Sequence, residues 1–74
     1  MFQVGDKVKY INEQTSELFN KTGVVRIKMR CLCGIEFDTK INGNNLGRIL
    51  ENNNGRYVSN HELELLEMES TCEY

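Results

Sequence analysis

Apolar and polar positions alternate along most of this chain. In residues 2–10, FQVGDKVKY, Phe2, Val4, Val8 and Tyr10 occupy even positions with Lys7 and Lys9 between them. A period of two belongs to a strand with one face buried and the other solvated. Gly5-Asp6 interrupts it and predicts a turn or bulge at the strand's start. The next stretch, INEQTSELFNK, loses the alternation and reads as a loop from which Leu18 or Phe19 folds back onto the core. Thr22-Gly23 turns the chain, and Val25, Ile27 and Met29 then alternate with Arg26, Lys28 and Arg30. A reversal is predicted between Arg30 and Cys33, with Ile35 and Phe37 returning along the same face of a central hairpin.

The pattern breaks at Thr39. Residues 42–55, NGNNLGRILENNNG, contain nine Asn or Gly among fourteen, types that tolerate positive φ and favour turns. They predict a long loop that buries almost nothing. Within it LGRIL is a candidate short strand, and NNNG closes a hairpin with RYVS. In SNHELELL, Ser59 or Asn60 can cap a single helical or 3₁₀ turn, with His61 orienting it. Leu63 and Leu65 then alternate with Glu62 and Glu64 as a last strand, and MESTCEY reads as a frayed tail. Five short strands with a one-turn 3₁₀ helix before the last predict an all-β chain. The expected form is a single five-stranded SH3-like barrel over residues 1–66, followed by an acidic C-terminal tail over residues 67–74. Rolling a small sheet on itself shelters its edges and encloses a thin apolar interior.

Composition narrows the setting. At 74 residues the chain is one domain, near the lower limit for an unaided core. No apolar run approaches the ~20 residues of a membrane span, and the start MFQVGDKVKY has no basic segment leading into an apolar one, so no secretory signal is expected. Three cysteines, an odd number, argue against a disulfide framework and for a reducing cytoplasm. The net charge of −2 is unevenly spread. Residues 1–61 carry nine Lys or Arg against six acids, nine minus six giving +3, while residues 62–74 carry five Glu and no base. A mildly basic body with an acidic end suits a protein partner as well as a phosphate backbone.

Two stretches carry a resemblance. Residues 4–27, VGDKVKYINEQTSELFNKTGVVRI, resemble the opening of KOW-type barrels: Gly-Asp before the first strand, a loop, then a Gly leading a Val-rich second strand. Residues 35–66, IEFDTKINGNNLGRILENNNGRYVSNHELELL, are similar to a group of small SH3-like proteins of bacteriophages and prophages, with their EFD strand end, Gly-rich loop, aromatic-Val strand and terminal ELEL. Those proteins often carry His and Asp in the Gly-rich loop, where this chain has Asn44-Asn45. The resemblance implies an SH3-like fold and a phage genomic setting, with a host or defence factor as the partner class.

Candidate chemistry follows from these positions. A loop this long in a compact domain is unusual without a task, and this one brings Arg48, Arg56 and Tyr57, types enriched at binding hot spots. Asn44 and Asn45 offer donors and acceptors to a partner, and Phe19 extends the surface from the first loop. The expected activity is therefore non-enzymatic protein binding through the Asn/Gly-rich loop, with no cofactor and no membrane association. The alternative is a KOW-like nucleic-acid binder using a basic stripe of Arg26, Lys28 and Arg30. The bland reading of that stripe is a solvated face that discourages edge pairing. A nucleic-acid reader would usually add exposed aromatics for stacking. A third reading, a nucleotide scavenger using Asn44, Asn45 and the Arg pair, requires a deep pocket.

Cys31, Cys33, His61 and Cys72 make four nominal zinc ligands, but structural pairs are typically spaced two to four residues apart. Alternation would instead place Cys31 and Cys33 on one strand face as small buried thiols. One His beside Glu62 or Asp38, without a framed nucleophile, gives no catalytic constellation. The glutamates Glu62, Glu64, Glu67 and Glu69 read as a solvated edge, or as an acidic lure for a basic groove.

Overall fold

The computed structural model of the chain describes residues 2–67. The acidic tail beyond Glu67, with Glu69 and Cys72, lies outside the described residues. Five strands form one antiparallel sheet: β1 Lys7–Tyr10, β2 Thr22–Lys28, β3 Leu32–Phe37, β4 Gly55–Ser59 and β5 Leu63–Glu67. Their spatial order is β4-β3-β2-β1-β5, so β1 is paired on both sides and β4 and β5 are the outer strands. A 3₁₀ turn over Asn60–Glu62 precedes β5. The fold is thus all-β, with the one-turn helix where Ser59 predicts it.

Alternation explains most of the core. Val8 and Tyr10 from β1, Val25 from β2, Cys33, Ile35 and Phe37 from β3, Val58 from β4 and Leu63 from β5 are buried in one cluster. Leu18 drops into it from the first loop and Ile41 from just after β3. The Gly5-Asp6 turn is also as expected. Gly5 has φ 100°, its N–H donates to the Val25 carbonyl at 2.8 Å, and Val25 N–H donates to the Asp6 carbonyl at 3.0 Å. Buried Asp6 accepts the Gln3 N–H on Oδ2 at 2.8 Å, so the turn ties itself to β2 and closes its own loop.

Two irregularities depart from strict alternation. Val25 pairs with Ile35 but Ile27 with Gly34, so Arg26 is an extra residue in β2, a bulge. The bulge turns Ile27 to the side opposite Val25, and the six-residue alternation expected from Val25 to Arg30 does not exist. Lys28 pairs with Cys33, while Arg30 sits in the hairpin turn. On β5, Lys7 pairs with Glu67 and Val8 with Leu65, leaving Leu66 as the extra residue.

Glu62 is the junction that seats β5 against β1, a role its solvated-edge reading misses. Oε2 accepts the Tyr10 hydroxyl at 3.0 Å and Asn12 Nδ2 at 2.6 Å, and Oε1 accepts the Ser59 N–H at 3.1 Å. The Glu62 carbonyl accepts the Ile11 N–H at 2.8 Å. One residue therefore satisfies the start of the 3₁₀ turn, the end of β1 and the first loop together. His61 is exposed and the turn is organised around its neighbour instead. The Asn12 bond foremost, joined by those from Tyr10 and Ser59, holds the Glu62 carboxyl below the usual carboxylate range against a smaller opposing cost of burial. Burial foremost raises the Tyr10 hydroxyl above its ordinary value.

A group whose folded-state pKa is depressed stabilises above its unfolded pKa and loses that contribution as pH falls through the folded value. Thermal melts of wild type should therefore weaken on acidification through and below the carboxylate range. Glu62→Gln should melt lower at neutral pH by roughly 1.5–3 kcal/mol of stability, the scale for hydrogen bonds to a charged group, and its pH dependence should be flatter. Matching melting curves for the two proteins at neutral pH would remove Glu62 from this role.

Candidate functional site

The Asn/Gly segment is the place where sequence expectation and structure diverge most usefully. It does not contain a strand: Leu46–Ile49 is a turn. Nor does it bury almost nothing, because Leu46 is 1% and Leu50 6% exposed. These two leucines lie outside the main core cluster. They cover Gly55 on the outer face of the sheet, where a Cβ would sit 2.6 Å from Leu46 Cγ and 2.7 Å from Leu50 Cδ1. The segment has its own small apolar footing on a strand residue that has no side chain.

Backbone pairing fixes the segment from both ends. Asn44 N–H donates to the Gly55 carbonyl at 2.7 Å and Gly55 N–H to the Asn44 carbonyl at 2.8 Å, a one-residue antiparallel bridge along β4. Asn side chains then build the turn. Asn44 Oδ1 accepts the Leu46 N–H at 2.8 Å and Asn45 Oδ1 the Arg48 N–H at 3.1 Å. Asn52 Oδ1 accepts the Asn54 N–H at 2.9 Å, and its Nδ2 donates to Glu36 on β3 at 3.2 Å. The acceptor oxygens of Asn44 and Asn45, expected to meet a partner, are used within the loop.

The result is a strained tip. Leu46, Gly47 and Arg48 have φ of 54°, 69° and 79°, three successive residues in the left-handed region. Two of them are not glycine, at a cost of about 1–2 kcal/mol each. Burying Leu46 and Leu50 returns about 1.5–3 kcal/mol each, so packing of the pair is large enough to hold the turn in that shape. Arg48 and Ile49 project at its summit, Ile49 being 49% exposed.

The remaining candidates divide between the two faces of β4. Tyr57 is on the same face as the cap over Gly55, two residues further along, and is 38% exposed. Arg56 lies between them and starts from the opposite face, across from buried Ile35. It donates from Nη1 to the Asn42 carbonyl at 3.2 Å and forms an ion pair of 3.6 Å with Glu17 in the first loop. Arg56 is thus a tether between two loops, and Phe19 is half-buried in the first of them. Asn44, Asn45 and Arg48 share the loop that caps Gly55, Tyr57 starts from the same sheet face as that cap, and Arg56 starts from the opposite face.

The basic stripe fares differently. The bulge breaks its periodicity, and Arg26 Nε is paired with Glu36 Oε1 at 3.3 Å. Lys28 and Arg30 are exposed but follow a strand end into a turn. Cys31 is exposed in that turn, contrary to its expected place beside Cys33 on a strand face. Cys33 is buried, its Sγ donates to Asn60 Oδ1 at 3.1 Å, and burial pushes its thiol above the ordinary value. Among the described residues no group of three His, Cys, Asp or Glu is placed to hold a metal ion. No helix among them is long and apolar enough to cross a membrane.

The chain matches no protein-family model, no curated protein and no solved structure.

Gly55→Val should force the capping leucines and the Asn44 carbonyl, 2.7 Å from the new Cβ, to move. A destabilisation of about 1–3 kcal/mol is expected for such overpacking, read as a lower denaturant midpoint, with amide shifts centred on residues 44–50. A variant as stable as wild type with an unchanged loop would contradict the packing described. In a Cys72→Ser background, Cys31 should react with a disulfide reagent at once and Cys33 only on unfolding. Two thiols titrating together in the native protein would place Cys33 at the surface.

Proposed function

We propose that this chain is a non-enzymatic binding module whose sheet closes into an SH3-like barrel, and that it is a phage or prophage accessory protein acting on a host or defence protein in the cytoplasm. The sequential strand order, with β5 crossing to pair with β1, supports the barrel. The resemblance of residues 35–66 to phage proteins supports the setting, and an odd cysteine count with an exposed Cys31 suits a reducing compartment.

The observation that carries the binding reading is the left-handed tip at Leu46, Gly47 and Arg48. Ordinary surface loops relax into common backbone conformations, and strained ones persist where the surroundings over-determine them, clustering at ligand clamps and switch regions. Here a packed leucine pair and three Asn side chains hold Arg48 and Ile49 outward in one shape. A presentation surface fixed before contact loses little entropy on binding. The contact surface is Arg48 and Ile49 with Tyr57 beside them on the same face, and the mechanism is occlusion of the target by a rigid loop.

Arg48→Gly separates this role from scaffolding. Glycine relieves the strain at φ 79°, so the variant should be as stable as wild type to within about 1 kcal/mol. Affinity capture from infected or host cells should nevertheless lose the partner that wild type retains. Equal capture by both proteins would defeat the loop reading. If the captured component is nucleic acid, released steeply by added salt, the KOW-like alternative takes its place.

A further inference from the structure

The outer edge of β4 is closed at both ends and open in the middle. Gly55 uses both its backbone groups on Asn44, so its N–H and C=O point away from β3. Successive residues of an antiparallel strand point these groups to opposite sides. Arg56 and Val58 therefore face β3, while Tyr57 and Ser59 face outward with Gly55. The Ser59 N–H is taken by Glu62 Oε1 at 3.1 Å. Between Asn44 and Glu62 this leaves the N–H and C=O of Tyr57 facing out, in a gap that spans about 13 Å from Gly55 to Ser59 at strand rise.

The surroundings of this gap are those of a binding ledge. Tyr57, Gly34 and Ile27 lie in one row across three strands. A Cβ on Gly34 would sit 3.1 Å from Ile27 Cβ and 3.2 Å from Tyr57 Cε1, so the ring leans over the glycine toward the isoleucine. That makes a shallow apolar shelf beside the open backbone pair, with exposed Met29 in the hairpin turn after Ile27. Basic groups stand at both ends. Arg56 precedes Tyr57, and Arg30 is tied to the far end, its carbonyl accepting Asn60 Nδ2 at 3.3 Å. Neither Arg30 nor Arg48 is in an ion pair among the described residues.

We propose that the Tyr57 gap is a docking slot for a short extended segment of the partner protein, an apolar residue flanked by acidic ones, which adds a strand to the β4 edge. The inference rests on the binding-module reading and supplies its partner chemistry. The docked residue opposite Tyr57 exchanges two main-chain hydrogen bonds with it, and its side chain lies on the Tyr57–Ile27 shelf. Its neighbours in the segment fall on the Arg56 side, where a carboxylate competes with Glu17, 3.6 Å away in an exposed ion pair, for the Arg56 guanidinium. Added strands of this kind take affinity from the backbone and specificity from alternate side chains. The caps at Asn44 and Glu62 limit the segment to about three paired residues at strand rise, which also keeps a long strand of another molecule from annealing there.

The test is selection of binders to the full-length protein from a display library of random linear peptides, followed by synthesis of the best one. Enriched peptides should share an apolar residue between acidic ones and shift the amide signals of Arg56–Ser59. N-methylation of the peptide's central residue removes one donor without touching the protein, and should weaken binding about tenfold or more. Tyr57→Ala should do the same, whereas Glu13→Gln, at an exposed position in the first loop, should leave peptide affinity within about twofold. No enrichment of any such peptide, or tolerance of N-methylation, overturns the slot. If peptide binding is lost in Arg48→Gly and kept in Tyr57→Ala, the loop reading stands and the slot falls. If no peptide binds and wild type also captures no protein from cells, both fall. Self-association of the free protein that Tyr57→Ala abolishes would assign the edge to a second copy, against the proposal.

Discussion

The feature on which the candidate site depends is the contact between Asn44 and Gly55. Two short main-chain hydrogen bonds join them, and the missing side chain of Gly55 admits Leu46 and Leu50 to the sheet surface. Without the bonds the segment between β3 and β4 has no fixed starting point. Without the vacancy its leucines have nowhere to be buried, and nothing offsets the left-handed backbone at Leu46 and Arg48. One small residue on an outer strand thus anchors the loop, shapes its tip and closes one end of the edge beside it.

Two layers of packing serve different ends. The inner cluster is made of alternating residues from all five strands with Leu18 and Ile41, and it is built from elements fixed by ladder pairing. The outer layer, Leu46 and Leu50 over Gly55, is small and depends on a loop whose hydrogen bonds are mostly exposed. Local opening draws on regions with few buried apolar contacts. Under denaturant the tip should therefore open before the sheet does, while under native conditions the leucine pair and the Asn bonds keep it in one shape.

Much of the sheet was legible in the sequence because its signal is periodic. Val8, Tyr10, Val25, Ile35 and Phe37 lie where alternation puts them, and Leu18 and the Ser59 turn follow from local patterns. Four features were not legible, each for a physical reason. The Arg26 bulge adds a residue without changing local composition, so Val25-Arg26-Ile27 reads as continuous strand. Glu62 resembles the solvated glutamates near it, and only the fold shows Tyr10 and Asn12, about fifty positions earlier, converging on its carboxylate. In the Asn/Gly stretch the abundance of turn residues masked two leucines four apart, 46 and 50, whose spacing was the available sign of a buried side. Arg56 and Tyr57 looked like one patch because they are adjacent, although adjacency within a strand puts side chains on opposite faces.

The position of β1 bears on how the molecule is made. It is the first strand along the chain, yet one of its two neighbours is the last, joined through Tyr10 and Glu62. During synthesis its β5 side stays bare until residues past 60 have left the ribosome, so a nascent chain with β1 to β4 already present still exposes an unsatisfied ladder. Completion by so distant a segment makes closure slow relative to local hairpins. It also makes assembly nearly all-or-none, because the sheet cannot be finished by anything less than most of the polypeptide.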